Sequence, residues 1–196
     1  MARYAAIAAT STALAGLIRD RYPRAAFGPS LDVALYQASD FEKPMEEGFS
    51  LYLYRIAPNG SVRNLSYRRD PDGRRFRPSL PLDLAYLVTP WARDAEKQQR
   101  MLGWVMRFIE DVGVLSASQL NDYVSDPDVF RASEALDIIC EPLSMQDYLT
   151  LWDRLHHRIP TSATYLMRML MIESDVAIDE AGLVQTRRFG VGEPVA

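Results

Sequence analysis

Phe49, Leu51 and Leu53 alternate with Ser50, Tyr52 and Tyr54, and the run ends in Arg55 and Ile56. Read as a strand, this segment is apolar or aromatic on both faces, so it belongs in the interior of a sheet. Pro58, Asn59 and Gly60 turn the chain behind it. Four further segments carry strand patterns. Residues 31–36 alternate, and residues 82–88 (Leu-Asp-Leu-Ala-Tyr-Leu-Val) form a run that Pro90 is expected to end. Residues 135–140 read as a strand stopped by Pro142, and residues 163–172 as the last long strand.

Between these lie helical patterns. Ile7, Leu14 and Ile18, with Ser11 among them, share one face of a helix over residues 5–21, which Pro23 and then Gly28-Pro29 stop. In residues 93–112, Leu102, Val105, Met106, Ile109 and Val112 recur at helical spacing, which predicts a core-facing stripe closed by Gly113. Residues 116–123 predict a short helix. Ser144 precedes Asp147 as an N-cap pair for a helix to residue 156 that buries Tyr148, Leu151, Trp152 and Leu155. No regular strand–helix–strand alternation runs through this order. It predicts an α+β fold with a small, mostly antiparallel sheet of about four to five strands flanked by helices.

The 196 residues suit one domain over residues 1–174, with a tail over 175–196. With 48% hydrophobic residues there is enough apolar material for a core, and a net charge of −4 gives no overall pull toward nucleic acid or anionic membrane. The single cysteine, Cys140, excludes an intrachain disulfide. The apolar run at residues 5–9 is shorter than the roughly 7–15 residues of a signal peptide, so it is read as part of a docked helix. No stretch approaches the roughly 18 apolar residues of a membrane span.

Catalytic chemistry is hard to assemble from this chain. No Gly-rich turn has the spacing of a phosphate loop. His156 and His157 are adjacent at a helix end, where their side chains diverge by about 100° and poorly suit a shared metal. Cys140, inside an apolar strand, is expected to be a small buried hydrophobe. Asp83 and Asp137 interrupt apolar strands; they fit either a carboxylate pair or, more often for such positions, the solvated or interface side of a sheet. No catalytic, cofactor or metal residue is assigned, and the chain is read as no enzyme.

The most unusual local feature is arginine. Arg63, Arg68, Arg69, Arg74, Arg75 and Arg77 crowd a loop over residues 61–81 with Asp70 and Asp72, and Tyr67 and Phe76 lie among them. Clustered arginine with aromatics fits nucleic-acid contact, docking on an acidic protein surface, or a solvated loop. The acidic chain as a whole and the lack of a nucleic-acid module weigh toward protein docking. Arg187, Arg188 and Phe189 in the tail are the other interface candidates.

Several segments, in order, resemble one family. They are residues 4–14, then 51–59 followed by Val62-Arg63-Asn64, and then residues 77–89. Glu141-Pro142-Leu143-Ser144 with Leu151-Trp152, and Tyr165-Leu166-Met167-Arg168, complete the set. Their order and spacing resemble the cap, or tail-terminator, proteins of extracellular phage-tail-like contractile injection systems. The resemblance implies a structural subunit that forms a homohexameric ring at the baseplate-distal end of the particle. There it would stop tube and sheath polymerisation and anchor the last sheath layer to the tube. Its implied partners are the inner tube protein, the sheath protein and further copies of itself, without nucleic acid or a membrane span. The implied location is the bacterial cytoplasm during assembly, on a particle later released or retained.

Overall fold

The computed structural model describes residues 4–29, 31–62, 64–126, 129–155 and 160–178. Helices α1 (Ala6–Arg21) and α2 (Arg24–Phe27) lead into strand β1 (Asp32–Tyr36), a 3₁₀ helix (Ala38–Glu42) and β2 (Gly48–Pro58). Two short strands, β3 (Arg68–Arg69) and β4 (Arg75–Phe76), precede β5 (Leu80–Trp91). Then follow α3 (Ala95–Val112), β6 (Val114–Ser116), α4 (Ala117–Asn121), β7 (Ala135–Cys140), α5 (Met145–Arg154) and β8 (Ala163–Ile172). Among the described residues the main sheet has six strands in the order β1-β2-β5-β8-β7-β6. Only β1 and β2 run parallel; every other pairing is antiparallel. The expected α+β architecture is present, with one strand more than expected. The extra strand, β6, is three residues long and starts directly after a helix, too short for an alternation to show.

Strand β5 does not stop at Pro90, and Pro81 also lies inside it. Both prolines sit where a neighbouring ladder has run out. Strand β2 last pairs at Pro58 opposite Leu82, and just beyond it the Pro81 carbonyl accepts from the Asn59 N–H at 2.9 Å. Strand β8 last pairs at Ala163 opposite Val88, and the Pro90 carbonyl accepts instead from Gln98 Nε2 at 2.8 Å. A missing N–H costs little at such positions.

One face of the sheet carries α1, α3 and α4. Phe49 and Leu51 of β2, Leu82, Leu84, Tyr86 and Val88 of β5, and Leu136 and Ile138 of β7 pack there against Leu14 and Ile18 of α1 and Val105 and Ile109 of α3. Helix α1 is buried on most sides because it lies between the sheet and α4, which explains its small residues. A Cβ added to Gly16 would lie 2.2 Å from the Tyr123 ring. Ser11 and the Tyr86 hydroxyl satisfy each other at 2.8 Å inside this layer, and burial pushes the Tyr86 phenol well above its ordinary pKa. Helix α3 opens on Asp94, whose side chain accepts from the Glu96 N–H, and ends at Gly113 with φ 60°. Its buried stripe is Met101, Leu102, Val105 and Ile109, whereas Met106 is 38% exposed. Met106 is one residue past Val105 and so about 100° round the helix from the core.

The opposite face is closed by a smaller cluster of Phe41, Leu87, Trp152 and Leu155, bordered by Tyr52, Trp91 and Tyr148. The Ser144 hydroxyl accepts from the Asp147 N–H at 3.1 Å and caps α5, as the spacing predicts. Trp152 is fully buried, with the Phe41 ring edge-on at 5.4 Å.

A bulge joins these layers. Leu82 pairs with Leu170, but Leu84 pairs with Met167, so β8 carries one residue more than β5 there. Met169 within it has φ 67°, a left-handed conformation that a residue with a Cβ takes only under constraint. Asp83 supplies the constraint. Its carboxylate accepts from the Met169 N–H at 3.2 Å and from Asn59 Nδ2 at 2.9 Å. The extra residue shifts the side-chain phase of β8, so that Tyr165, Met167 and Leu170 all reach the helical core.

Two stability predictions follow from this packing. Replacing Trp152 with alanine removes the centre of the smaller cluster and is expected to cost about 3–5 kcal/mol in denaturant unfolding. An unfolding free energy within error of the parent's would show that the cluster does not hold α5. Asp83→Ala strands the Met169 and Asn59 donors and is expected to cost about 1–3 kcal/mol, whereas Asp83→Asn keeps an acceptor and recovers part of it. Equal losses from both substitutions would contradict the hydrogen-bonding role.

Candidate docking surfaces

The residues that could carry chemistry are placed apart. Asp83 and Asp137 lie on β5 and β7, with β8 between them, so the strands are about 10 Å apart and the two carboxylates do not form a pair. Asp83 holds the bulge, and Asp137 is exposed opposite Arg168. Cys140 is exposed rather than buried. It is the last residue of β7, two beyond Ile138, where the strand has run past the core. Partial burial and the nearby Glu110 carboxylate raise its thiol pKa, which disfavours the nucleophilic thiolate. His156 and His157 lie outside the described residues. Among the described residues no three His, Cys, Asp or Glu side chains gather to hold a metal ion, and no helix is long and apolar enough to cross a membrane.

The arginine loop is not irregular throughout. Arg68 pairs with Phe76 and Arg69 with Arg75 in a small hairpin. Asp70 builds its turn: the Asp70 carbonyl accepts from the Gly73 N–H at 3.0 Å, and its side chain accepts from the Arg74 N–H at 2.8 Å. Gly73 takes φ 83°, which suits a residue without a Cβ. The start of the tail adds one bridge to the hairpin. The Arg77 N–H donates to Val176 O and the Ile178 N–H to Arg75 O, so Phe76 bridges Ala177.

The arginines divide by direction. Arg68 turns inward, 11% exposed, with its Nε 3.6 Å from the Glu173 carboxylate, which is 6% exposed. Glu173 also holds Arg131 at 2.8 Å, so one buried carboxylate ties the hairpin and the approach to β7 to the end of β8. Nothing local in the sequence pairs Arg68 with Glu173. The only available signal is an acidic residue directly after an apolar strand. Arg69, Arg74 and Arg77 are exposed and Arg75 is half-buried. An open cleft of about 680 Å³ lies beside Arg77, lined also by Leu65, Tyr67, Pro78 and Ile178. Arg63, Arg187, Arg188 and Phe189 lie outside the described residues.

The two aromatics of the hairpin are already engaged. The Arg68 guanidinium lies 4.1 Å from the centre of the Phe76 ring, and that of Arg75 lies 4.7 Å from Tyr67. A ring with one face covered by a guanidinium is a poor stacking platform for bases. The hairpin therefore presents exposed cations on a scaffold held by its own buried ion pair, a surface that fits an acidic protein partner better than a nucleic acid.

The family model and the solved structures that match the chain point to one architecture. No curated protein matches the chain. Among solved structures, the fold is similar to the PVC sheath/tube terminator of an extracellular contractile injection system in its extended state. That likeness has a TM-score of 0.62 and 15% identity, and covers 96% of this chain and 64% of the other. It is also similar to the tube-terminating cap of the anti-feeding prophage, with a TM-score of 0.53 and 15% identity, covering 92% of this chain and 60% of that one. The chain therefore spans less than two thirds of the length of either structure, and at this identity the likeness is one of fold. The Pvc16 N-terminal domain family matches residues 9–186, nearly the whole chain. The chain belongs to the Pvc16 N-terminal domain family.

Proposed function

We propose that this chain is a structural cap subunit of a contractile injection system. It forms a homohexameric ring at the baseplate-distal end, terminates tube and sheath polymerisation, and anchors the last sheath layer to the tube. The observation that carries the reading is the family match over residues 9–186, which coincides with a fold shared with a sheath/tube terminator and a tube-terminating cap. The placement of side chains supports it. Asp83 serves the sheet, and Cys140 is kept as a thiol. A ring subunit needs complementary surfaces and no catalytic group. The subunit acts in the bacterial cytoplasm during assembly, on a particle then released or retained.

Within this reading the hairpin arginines Arg69, Arg74, Arg75 and Arg77 meet an acidic surface of a tube, sheath or neighbouring cap subunit. Arg63, Arg187, Arg188 and Phe189 extend that interface. Arg68 serves from the inside by fixing the hairpin through Glu173.

Electron microscopy of particles from cells with and without this gene tests the role. Overlong, frayed or sheathless tubes in the deletion, restored by complementation, are expected; particles of unchanged length would overturn it. The Arg74→Glu/Arg77→Glu double variant is expected to lower the yield of capped particles about tenfold while the isolated chain unfolds at its normal denaturant midpoint. Full capping by that variant would remove the hairpin from the interface.

A further inference from the structure

Two surfaces of opposite charge lie at opposite ends of strand β2. Strand β1 runs beside β2 from Gly48 to Tyr52, at its beginning. The hairpin follows its far end at Pro58 and is tied to Glu173 just beyond β8. At about 3.3 Å per residue, the stretch of β2 from Tyr52 to Pro58 separates them by about 20 Å. At the hairpin end Arg74 and Arg77 are exposed, and Arg77 shares its cleft with the exposed Tyr67. At the β1 end a cleft of about 510 Å³ runs between β1 and the 3₁₀ helix. Asp32, Asp40 and Glu42 line it against a single Lys43, with the exposed Leu35 as its apolar part.

Most charges near these surfaces are already engaged. The Asp40 carboxylate accepts from the Gln37 N–H at 2.8 Å, and Glu46 and Glu47 hold Arg93 and Lys97. Arg19 Nη2 donates to the Val33 carbonyl at 2.7 Å, so the β1 surface must act through side chains rather than backbone. Asp32 and Glu42 have no ion pair among the described residues, and neither have the side chains of Arg74 and Arg77. Each end of the domain thus offers two uncommitted charges of one sign beside an exposed apolar side chain. The two sets are complementary, yet the sheet between them keeps a chain from joining its own. Only a second copy can bring them together.

We propose that the hairpin of one copy seats in the cleft between β1 and the 3₁₀ helix of the next copy. Arg74 and Arg77 lie against Asp32 and Glu42 there, and Tyr67 covers Leu35. A contact between two different surfaces is head-to-tail, and its repetition gives a ring when the rotation from copy to copy closes. The contact rests on the two surfaces alone; its closure into a ring rests on the cap reading.

The test is sedimentation velocity of the full chain at about 100 µM and low salt, where the parent is expected to self-associate. The Arg74→Glu/Arg77→Glu chain and the Asp32→Lys/Glu42→Lys chain, each checked for unchanged circular dichroism, are each expected to associate at least about tenfold more weakly. An equimolar mixture of the two is expected to recover the parent's association. In it every Glu-bearing hairpin finds a Lys-bearing cleft, and every Arg hairpin finds native carboxylates. A misfolded variant could not be rescued in this way. A mixture that stays as weak as its components would overturn the pairing, and so would variants that associate like the parent or a parent that remains monomeric. Recovery in the mixture with normal particle length in the deletion strain would retain the contact and discard the cap reading. A monomeric parent with overlong particles in the deletion strain would do the reverse.

Discussion

From residue 81 to residue 90 of β5, every side chain but Asp83 is buried. A strand with two apolar faces cannot rest on one layer of helices, so both sides of the sheet must be closed. The chain meets this demand unequally. Three helices and a large cluster cover the side of Leu84 and Tyr86, while Phe41, Trp152 and Leu155 form a small aromatic lid over Leu87. Helix α5 is therefore held largely by Trp152, whose indole fills the lid. The prolines of β5 mark where its neighbours end and leave the strand free to run the length of both.

Asp83 and Glu173 show how acidic residues serve this core. Asp83 is half-buried and the Glu173 carboxylate nearly fully so, each beside apolar strand residues and with partners far away in sequence. Asp83 locks the left-handed Met169 so that β8 can keep Met167 and Leu170 on the same face across a bulge. Glu173 begins where β8 ends and draws Arg68 and Arg131 to it, fixing a hairpin that would otherwise be a long exposed loop. A buried ion pair contributes little net stability, but breaking one is costly because the remaining charge has no partner. Its structural effect here is to hold the exposed arginines of the hairpin at a fixed place beside the sheet.

Much of this fold is legible in the sequence, for reasons that can be named. The long strands β2, β7 and β8 announce themselves by apolar or β-branched runs, and α3 by its stripe, because burial of several successive residues leaves a periodic record. The features that escape are those without a period. Strand β6 buries only Leu115, and the hairpin β3–β4 is fixed by an ion pair across the chain, so neither leaves a local pattern. The Met106 reading errs by one step round a helix, since a stripe of five apolar positions covers more than the buried arc. Cys140 misleads because an apolar strand continues past the edge of its core. Asp83 is visible as an anomaly from the start, but only the bulge shows that it is structural. The interface is the least legible part: exposed Arg74 and Arg77 and inward Arg68 look alike in sequence, and only the position of Glu173 separates them.

The asymmetry of the sheet edges bears on how such a domain can join an assembly. A closed ring needs each copy to offer two surfaces that meet in register without allowing open-ended growth. Sheet edges are hazardous for this purpose, because any extended chain can pair with them and stacking need not stop. At the β6 end the hazard is removed by brevity and by a helix that starts at once. At the β1 end Arg19 covers the outward Val33 carbonyl, and Asp32, Asp40 and Glu42 lie beside the strand. A second acidic β1 edge approaching the first would be repelled, which disfavours edge-to-edge stacking of like subunits. The hairpin places cations on a different part of the same domain. The two surfaces thus differ in sign as well as in geometry, and a partner suited to one is mismatched to the other. On the proposed cap reading, such a difference in sign lets unlike surfaces of neighbouring copies meet while like surfaces admit no further layer.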